Sequence, residues 1–315
     1  MNTLKTDQSY PPDLGSTCSA PDGICTQDGS LKKGTGMVTA CKLTIVTVCY
    51  NDLEALKCTI DALRIQNRKD FEQIVIDGAS TDGTSAYLEA VAATSPGYLF
   101  SYISESDRGL YDAMNKGIRL ARGKWCWFLN AGDIPHGPDT IGMMVEELEH
   151  DQENTPMHFF QAECVAPEFS FIKGRPCTAR DFIMNMPICH QGVLYRVNHL
   201  RANHYRYDLM YPIVADHELT LRILRQAADH APIPFSRMVI VKFNLEGLSS
   251  RNLFQLTGEQ MTVARLHFPE RKLEVLLRIL ESWAICGTSL LLRWLGLYGL
   301  FRKGFTKIFP GVSTR

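Results

Sequence analysis

Residues Ser104–Asp133, SESDRGLYDAMNKGIRLARGKWCWFLNAGD, combine an acidic loop, an amphipathic helical pattern, a hydrophobic strand pattern and a terminal carboxylate. Asp133 follows the apolar run Trp125–Leu129, so it stands at the carboxyl end of a strand, where open α/β sheets place their ligands. A hard divalent cation that bridges two phosphates needs only one or two protein carboxylates, with phosphate oxygens and water completing its shell. Asp133 suits that task, and Gly132 admits a close backbone approach, although Asn130-Ala-Gly-Asp133 also suits a plain strand-end turn. Asp77, closing the run QIVID, can accept from a ribose hydroxyl or a base N–H, while Asp77 and Asp82 equally suit a strand-to-helix turn with an aspartate cap. Asp216, after Val214-Ala215, either caps a helix or acts as a general base toward a hydroxyl nucleophile. His190 and Gln191 follow Pro187, and a lone histidine is more often structural than chemical. Asp112 and Asn115 lie within a helical pattern whose interior disfavours both residue types. They have a polar task, either holding ligand hydroxyls or bracing a loop.

The elements that must carry these residues alternate. Leu43–Val48 is a β-branched run of the kind buried on both faces. Asn51-Asp-Leu-Glu54 resembles a capping box, and Leu53, Leu56, Ile60 and Leu63 mark the buried face of the helix it opens. QIVID (Gln73–Asp77) is the next strand, Gly78–Gly83 a turn, and a helix starts near Thr84 with Tyr87, Leu88 and Val91 inward. Tyr98–Ile103 is a third strand. Leu110, Ala113, Met114, Gly117, Ile118 and Ala121 form the stripe of a helix that Gly123 ends. Trp125–Leu129 is the fourth strand, and Pro138 opens another helix. This alternation predicts a mostly parallel, three-layer α/β/α sheet. From Met157 shorter apolar runs predict an α+β half on the same sheet, with a helix at Asp216–Leu224 and a strand at Met238–Phe243.

The 315 residues carry a formal net charge of -1, which argues against a nucleic-acid-binding surface over the whole molecule. No G-x-G-x-x-G follows a strand and no Walker A sequence occurs, so neither common nucleotide loop is present. The ten cysteines form no CxxC; they point to a reduced, cytoplasmic compartment, and the N-terminus lacks a signal pattern. Residues 1–40 read as a mobile tail. Leu273–Phe309 mixes Leu, Ile, Trp and Phe with Arg278, Arg293, Arg302, Lys303 and Lys307. Its apolar stretch Ser282–Leu292 falls short of the ~20 residues needed to span a bilayer. It reads as an amphipathic helix on an anionic membrane surface, or as one packed on the protein or on a second subunit.

Together, TIVTVCYN (Thr44–Asn51), IVIDGASTDGT (Ile74–Thr84), SESDRGLYDAMNKGI (Ser104–Ile118), FLNAGD (Phe128–Asp133), His190-Gln191 and ADHELTLR (Ala215–Arg222) resemble the family 2 glycosyltransferases. The similarity is strongest to the colanic-acid-type exopolysaccharide branch and covers about residues 43–250. The resemblance implies a GT-A fold over 41–250, with a nucleotide-sugar half (41–150), an acceptor half (151–250) and a C-terminal helical segment (251–315). It implies that Thr47 and Asn51 flank the nucleotide, Asp77 contacts the base or ribose, Asp107, Lys116 and Asn130 lie near the donor, and His190 and Gln191 lie on the acceptor side. Asp133 would hold Mg²⁺ or Mn²⁺, and Asp216 would be the base of an inverting transfer from a nucleotide-sugar donor to a lipid-linked or growing polysaccharide acceptor. Two departures stand out. Asn130 and Gly132 replace the carboxylates of the usual DxD motif, and EGLSS (Glu246–Ser250) replaces a Gly-Gly-Ser turn. A sugar-phosphate nucleotidyltransferase would need a Gly-rich loop with Arg and Lys after the first strand, which Cys49-Tyr50-Asn51-Asp52 is not. A non-catalytic sugar- or nucleotide-binding scaffold is the other alternative.

Overall fold

A computed structural model describes residues 31–33, 41–166, 169–227, 232–245, 252–281 and 312–314. Strand β1 is Lys32–Lys33, and β2 (Leu43–Cys49), β3 (Phe71–Asp77), β4 (Leu99–Ser104) and β5 (Trp125–Phe128) follow. Helices α1 (Leu53–Arg64), α2 (Thr84–Thr94) and α3 (Leu110–Leu120) connect them. Next come β6 (Ile134–Pro135), α4 (Thr140–Glu149), β7 (Met157–Ala166), β8 (Phe169–Lys173), β9 (Val193–Arg196), α5 (Val197–Ala202), α6 (Ala215–Ala227) and β10 (Phe235–Asn244). Helix α7 is Leu253–His267, α8 spans 272–281, and β11 is Val312–Thr314.

The described strands form one sheet in the order β1-β4-β3-β2-β5-β9-β7-β10-β6, with β8 on β7 and β11 on β8. The β4-β3-β2-β5 block is parallel, as the β-α alternation predicts. The second half joins it through antiparallel β5-β9 and β9-β7 pairs, with β7 and β10 parallel. All seven residues of β2 and of β3 are buried, because helices cover both faces. Val46, Val48, Ile74 and Ile76 pack with α3, α6 and α7 residues on one side. Ile45, Phe71 and Val75 pack with α1, α2 and α4 residues on the other. This is an α/β fold of three layers, as the alternation of strands and helices predicts.

Several local expectations need correction. Asp52, not Asn51, caps α1, accepting from the Ala55 N–H, and Glu54 pairs with Lys57 instead of closing a capping box. Gly123 does not end α3 through a left-handed turn. The helix stops at Leu120, and Gly123 serves close packing, since a Cβ there would stand 2.6 Å from the Thr44 backbone N. Pro138 precedes α4 by two residues, and Asp139 holds the N-cap position. Within the expected tail, Lys32 and Lys33 pair with Tyr102 and Ser101 on the sheet edge. Residues 246–251 and 282–311, including EGLSS and most of the basic-apolar segment, lie outside the described residues.

Candidate active site

The carboxyl ends of β2, β3, β4 and β5 meet on one edge of the sheet, because parallel pairing puts Cys49 beside Asp77 and Asp77 beside Ser104. Asp77 is fully buried, and its carboxylate accepts from the Ser80 hydroxyl and N–H and from the Ser104 hydroxyl. It therefore braces the 78–83 turn from inside. Asn51 works on the same turn from outside. It adopts φ 48, its N–H donates to Ser80 Oγ at 2.7 Å, and its Oδ1 accepts from the Thr81 N–H at 2.8 Å. The two-residue period of a strand turns Thr47 into the layer under α1 and α2, where it is fully buried and its hydroxyl accepts from Gln73 Nε2 at 2.9 Å.

Two side chains close over the turn. A Cβ on Gly78 would stand 2.9 Å from Asp107 Oδ2 and 3.1 Å from the Tyr50 ring. The missing side chain thus lets a carboxylate and an aromatic ring that is 67% exposed come into contact with the turn. Asp107 is steadied by the Gly109 N–H on its Oδ1 at 2.9 Å. Tyr50 was missed in the sequence, although an aromatic residue just past a buried strand was the available signal. Lys116 reaches this loop from beneath. It is buried, donates to Ser106 O at 2.9 Å and pairs with Glu105 at 3.0 Å, so its charge holds the loop. Asn115 braces a loop, as one of the two sequence expectations held: it both donates to and accepts from the Tyr207 backbone at 2.9 Å.

The FLNAGD turn carries the second part of the site. Gly132 takes φ 91, a conformation costly for residues with a side chain. Thr59 of α1 pins the turn, accepting from the Gly132 N–H and donating to Asp133 O, each at 2.9 Å. Asp133 is 4% exposed, and its Oδ2 accepts from Gln191 Nε2 at 3.1 Å. Burial pushes its carboxyl well above the usual range, nearby Cys189 adds to this, and the Gln191 bond opposes it. Asn130 Oδ1 is buried without a partner among the described residues. A buried carboxylate and an unmatched buried oxygen in one turn are groups that a cation relieves, so the residues present fit a divalent ion shared with phosphates. No cluster of three or more His, Cys, Asp or Glu occurs among the described residues.

His190 and Gln191 part company. Gln191 faces Asp133, on the donor side, while its carbonyl accepts from Trp127 Nε1 at 2.7 Å. His190 packs among Phe128, Tyr195 and Tyr207 and bonds the Tyr207 hydroxyl at 2.8 Å. Burial holds its imidazole below the usual histidine range.

Asp216 sits in the first turn of α6, where the helix dipole favours a negative charge. Its Oδ1 accepts from the His217 N–H at 2.8 Å and from the Tyr111 hydroxyl at 3.0 Å. Tyr111 belongs to the YDAMNKG stretch on α3, so this bond ties the donor half to α6 across more than a hundred residues. Burial, followed by the Asp216 charge, pushes the Tyr111 phenol well above its usual range, which keeps it a proton donor.

A parallel sheet block with carboxylates at its switch edge, tied through Tyr111 to a partly exposed carboxylate on α6, has the layout of a GT-A-type transferase. A profile of Glycosyl transferase family 2 matches residues 44–168. An uncharacterized glycosyltransferase of Mycobacterium tuberculosis is 32% identical over 73% of this chain and 86% of its own length. A PGL/p-HBAD biosynthesis glycosyltransferase of Mycobacterium bovis is 27% identical over 66% of this chain and 78% of its own. Among solved structures, Staphylococcus aureus TarS in complex with UDP superposes with a TM-score of 0.53 at 13% identity, covering 72% of this chain and 70% of that one. A mannosyltransferase from Pyrobaculum calidifontis with GDP-Man and Mn²⁺ also gives 0.53, at 17% identity over 85% and 87%. The chain belongs to glycosyltransferase family 2, and it is a glycosyltransferase.

Proposed function

We propose that the protein transfers a sugar, with inversion, from a nucleotide-diphosphate donor to a lipid-linked or growing polysaccharide acceptor in exopolysaccharide biosynthesis. The observation that carries this reading is the Tyr111–Asp216 bond, which joins the donor-side helix to a candidate base on α6. The nucleotide lies against the Gly78 turn, with the Tyr50 ring against the base and Asp107 accepting from a base N–H or a ribose hydroxyl. Asp77, Asn51 and Lys116 keep the two loops around it in shape. Asp133, with Asn130 beside it, holds Mg²⁺ or Mn²⁺; when bound, such an ion offsets the charge that builds on the leaving diphosphate. Asp216 takes the proton of the acceptor hydroxyl through the oxygen that Tyr111 and His217 leave free. The hydroxyl oxygen then bonds to the anomeric carbon as the bond to the diphosphate breaks on the opposite face, so one displacement inverts the configuration. UDP in one structural neighbour, and GDP-Man with Mn²⁺ in the other, support the donor and the metal. We place the enzyme in the cytoplasm, peripheral to the inner membrane; no described helix is long and apolar enough to cross a bilayer.

The test is donor turnover by purified protein with Mn²⁺, read as release of the nucleoside diphosphate. Asp216→Asn is expected to lower it about 10²–10⁴-fold and Asp133→Ala to abolish it, and wild-type turnover in both variants would refute these assignments.

A further inference from the structure

Helix α7 lies beyond the residues that the family profile matches, yet one of its carboxylates reaches the segment leading into Asp216. Glu259 Oε2 accepts from the Ile213 N–H at 2.9 Å and from the Val214 N–H at 3.1 Å. These two groups precede the first turn of α6, where a helix has no backbone partner to offer its N–H donors. Ile213 and Val214 are buried, and a buried backbone N–H left unpaired is costly. Gln255, one turn earlier on α7, donates to Glu259 Oε1 at 2.9 Å and steadies the carboxylate.

The same dipeptide is held from the donor half. The Tyr111 hydroxyl lies 2.8 Å from Ile213 O and 3.0 Å from Asp216 Oδ1. Val214 O accepts from the Glu218 N–H at 2.9 Å and so begins the backbone bonding of α6. A donor-side helix and a C-terminal helix thus grip Ile213-Val214, and Asp216 stands two residues further on. Helical geometry fixes each residue relative to the one before it, so a shift of Val214 is passed to Asp216. Burial first, then the Asp216 charge, and last the Glu259 charge hold the Tyr111 phenol above its usual range, which puts the three side chains in one cluster. Helix α7 also touches α6 elsewhere. His267 Nε2 lies 3.1 Å from Glu218 Oε1, Arg225 bonds His267 O, and Val263 and Ala264 join the shared core. Those contacts hold the two helices together, whereas Glu259 holds the entry into Asp216.

We propose that Glu259 is a positioning residue for the transfer reaction: by holding the Ile213 and Val214 N–H groups it fixes the start of α6, and with it the place of the Asp216 carboxylate. The inference rests on the reading of Asp216 as the base given above. It extends the working site to a helix outside residues 43–250, where the family's motifs lie. Glu259 acts through the backbone and not on a substrate.

The test is nucleoside diphosphate release by the full-length protein with Mn²⁺, with UDP-N-acetylglucosamine or GDP-mannose as donor. Misplacing a reacting group by about 1 Å can cost about 100-fold. Glu259→Ala is therefore expected to lower turnover about 10–100-fold while the donor KM stays within about twofold. Glu259→Gln keeps an oxygen with two lone pairs for the two N–H groups and should return turnover to within about threefold of wild type. In an Asp216→Asn background, Glu259→Ala should cost nothing further. His267→Ala loosens the same helix pair at the C-terminal end of α7, so it should lower the melting temperature and leave turnover unchanged. If Glu259→Ala does not fold, Glu259→Asp, one methylene short of both N–H groups, takes its place with the same expectation. Wild-type turnover in Glu259→Ala, no recovery in Glu259→Gln, or a further loss on top of Asp216→Asn overturns the inference. So does an equal loss in His267→Ala, which would leave only helix packing. Wild-type turnover in Asp216→Asn removes the base assignment and this inference with it. Loss in Asp216→Asn with wild-type turnover in Glu259→Ala removes this inference alone.

Discussion

Replacing Tyr111 by phenylalanine isolates the contact that couples the two halves of the site. The ring stays, and with it the packing against Tyr207 at a centroid distance of 5.2 Å. What is lost is a hydroxyl that lies 3.0 Å from Asp216 Oδ1 and 2.8 Å from Ile213 O. A hydrogen bond to a charged group contributes about 1.5–3 kcal/mol. The His217 N–H still donates to the same oxygen at 2.8 Å, so the lower end of that range applies. About 1.4 kcal/mol corresponds to a tenfold change in rate. Turnover at saturating donor and acceptor should therefore fall about tenfold, while the donor KM stays within about twofold, because the turn at Gly78 is untouched. The assay is nucleoside diphosphate release in a double-mutant cycle with Asp216→Asn. If Tyr111 acts by positioning Asp216, adding Tyr111→Phe to Asp216→Asn costs nothing further. A second tenfold loss in that background, or full activity in Tyr111→Phe alone, would falsify the reasoning.

Gly117→Ala would place a Cβ 2.3 Å from Val46 Cγ1; an overpacking cost of about 1–3 kcal/mol should lower the melting temperature by several degrees, and an unchanged melting curve would show that α3 can shift away from β2. Gln191→Ala removes the donor to Asp133 Oδ2 and should weaken Mn²⁺ binding by about 10–100-fold, as followed by calorimetric titration; unchanged affinity would mean that Asp133 needs no orientation. The raised Asp133 carboxyl also sets a pH dependence. A carboxyl whose folded pKa lies above its unfolded value contributes stability that is fully present below the unfolded value and is lost as pH rises through the folded one. The cation binds the charged form, so the melting-temperature gain from Mn²⁺ should grow as pH rises above the ordinary carboxylate range; a gain independent of pH would count against Asp133 as its ligand. Tyr50→Ala should raise the donor KM about tenfold through lost stacking, and a wild-type KM would move the base elsewhere.

The strands and helices of the donor half were legible because their side-chain periods differ. Val46 and Val48 alternate with Ile45 and Cys49 across β2, and Leu56, Ile60 and Leu63 recur at helical spacing on α1. The positions of Asp77, Asp133 and Asp216 at a strand end, a turn and a helix start were also readable from local pattern. Which of them could meet a ligand was not. Thr47 and Asp77 have the right residue types, yet strand alternation and the Ser80 and Ser104 hydroxyls close them inside the protein. Tyr50 and Thr59 drew no attention because their partners, Gly78 with Asp107 and the 130–133 turn, are remote in sequence.

By itself the sequence determined the alternation of elements, the three-layer parallel block, the family and the polar motifs that end its strands, since each depends on neighbours within a turn or two of chain. The tertiary structure decided the pairing of those motifs. Gln191 reaches Asp133, His190 withdraws into an aromatic cluster, and Tyr111 crosses to Asp216 because β9 inserts antiparallel beside β5 and brings the second half against the first. Contacts of that kind follow from the packing of whole layers, and no local periodicity encodes them.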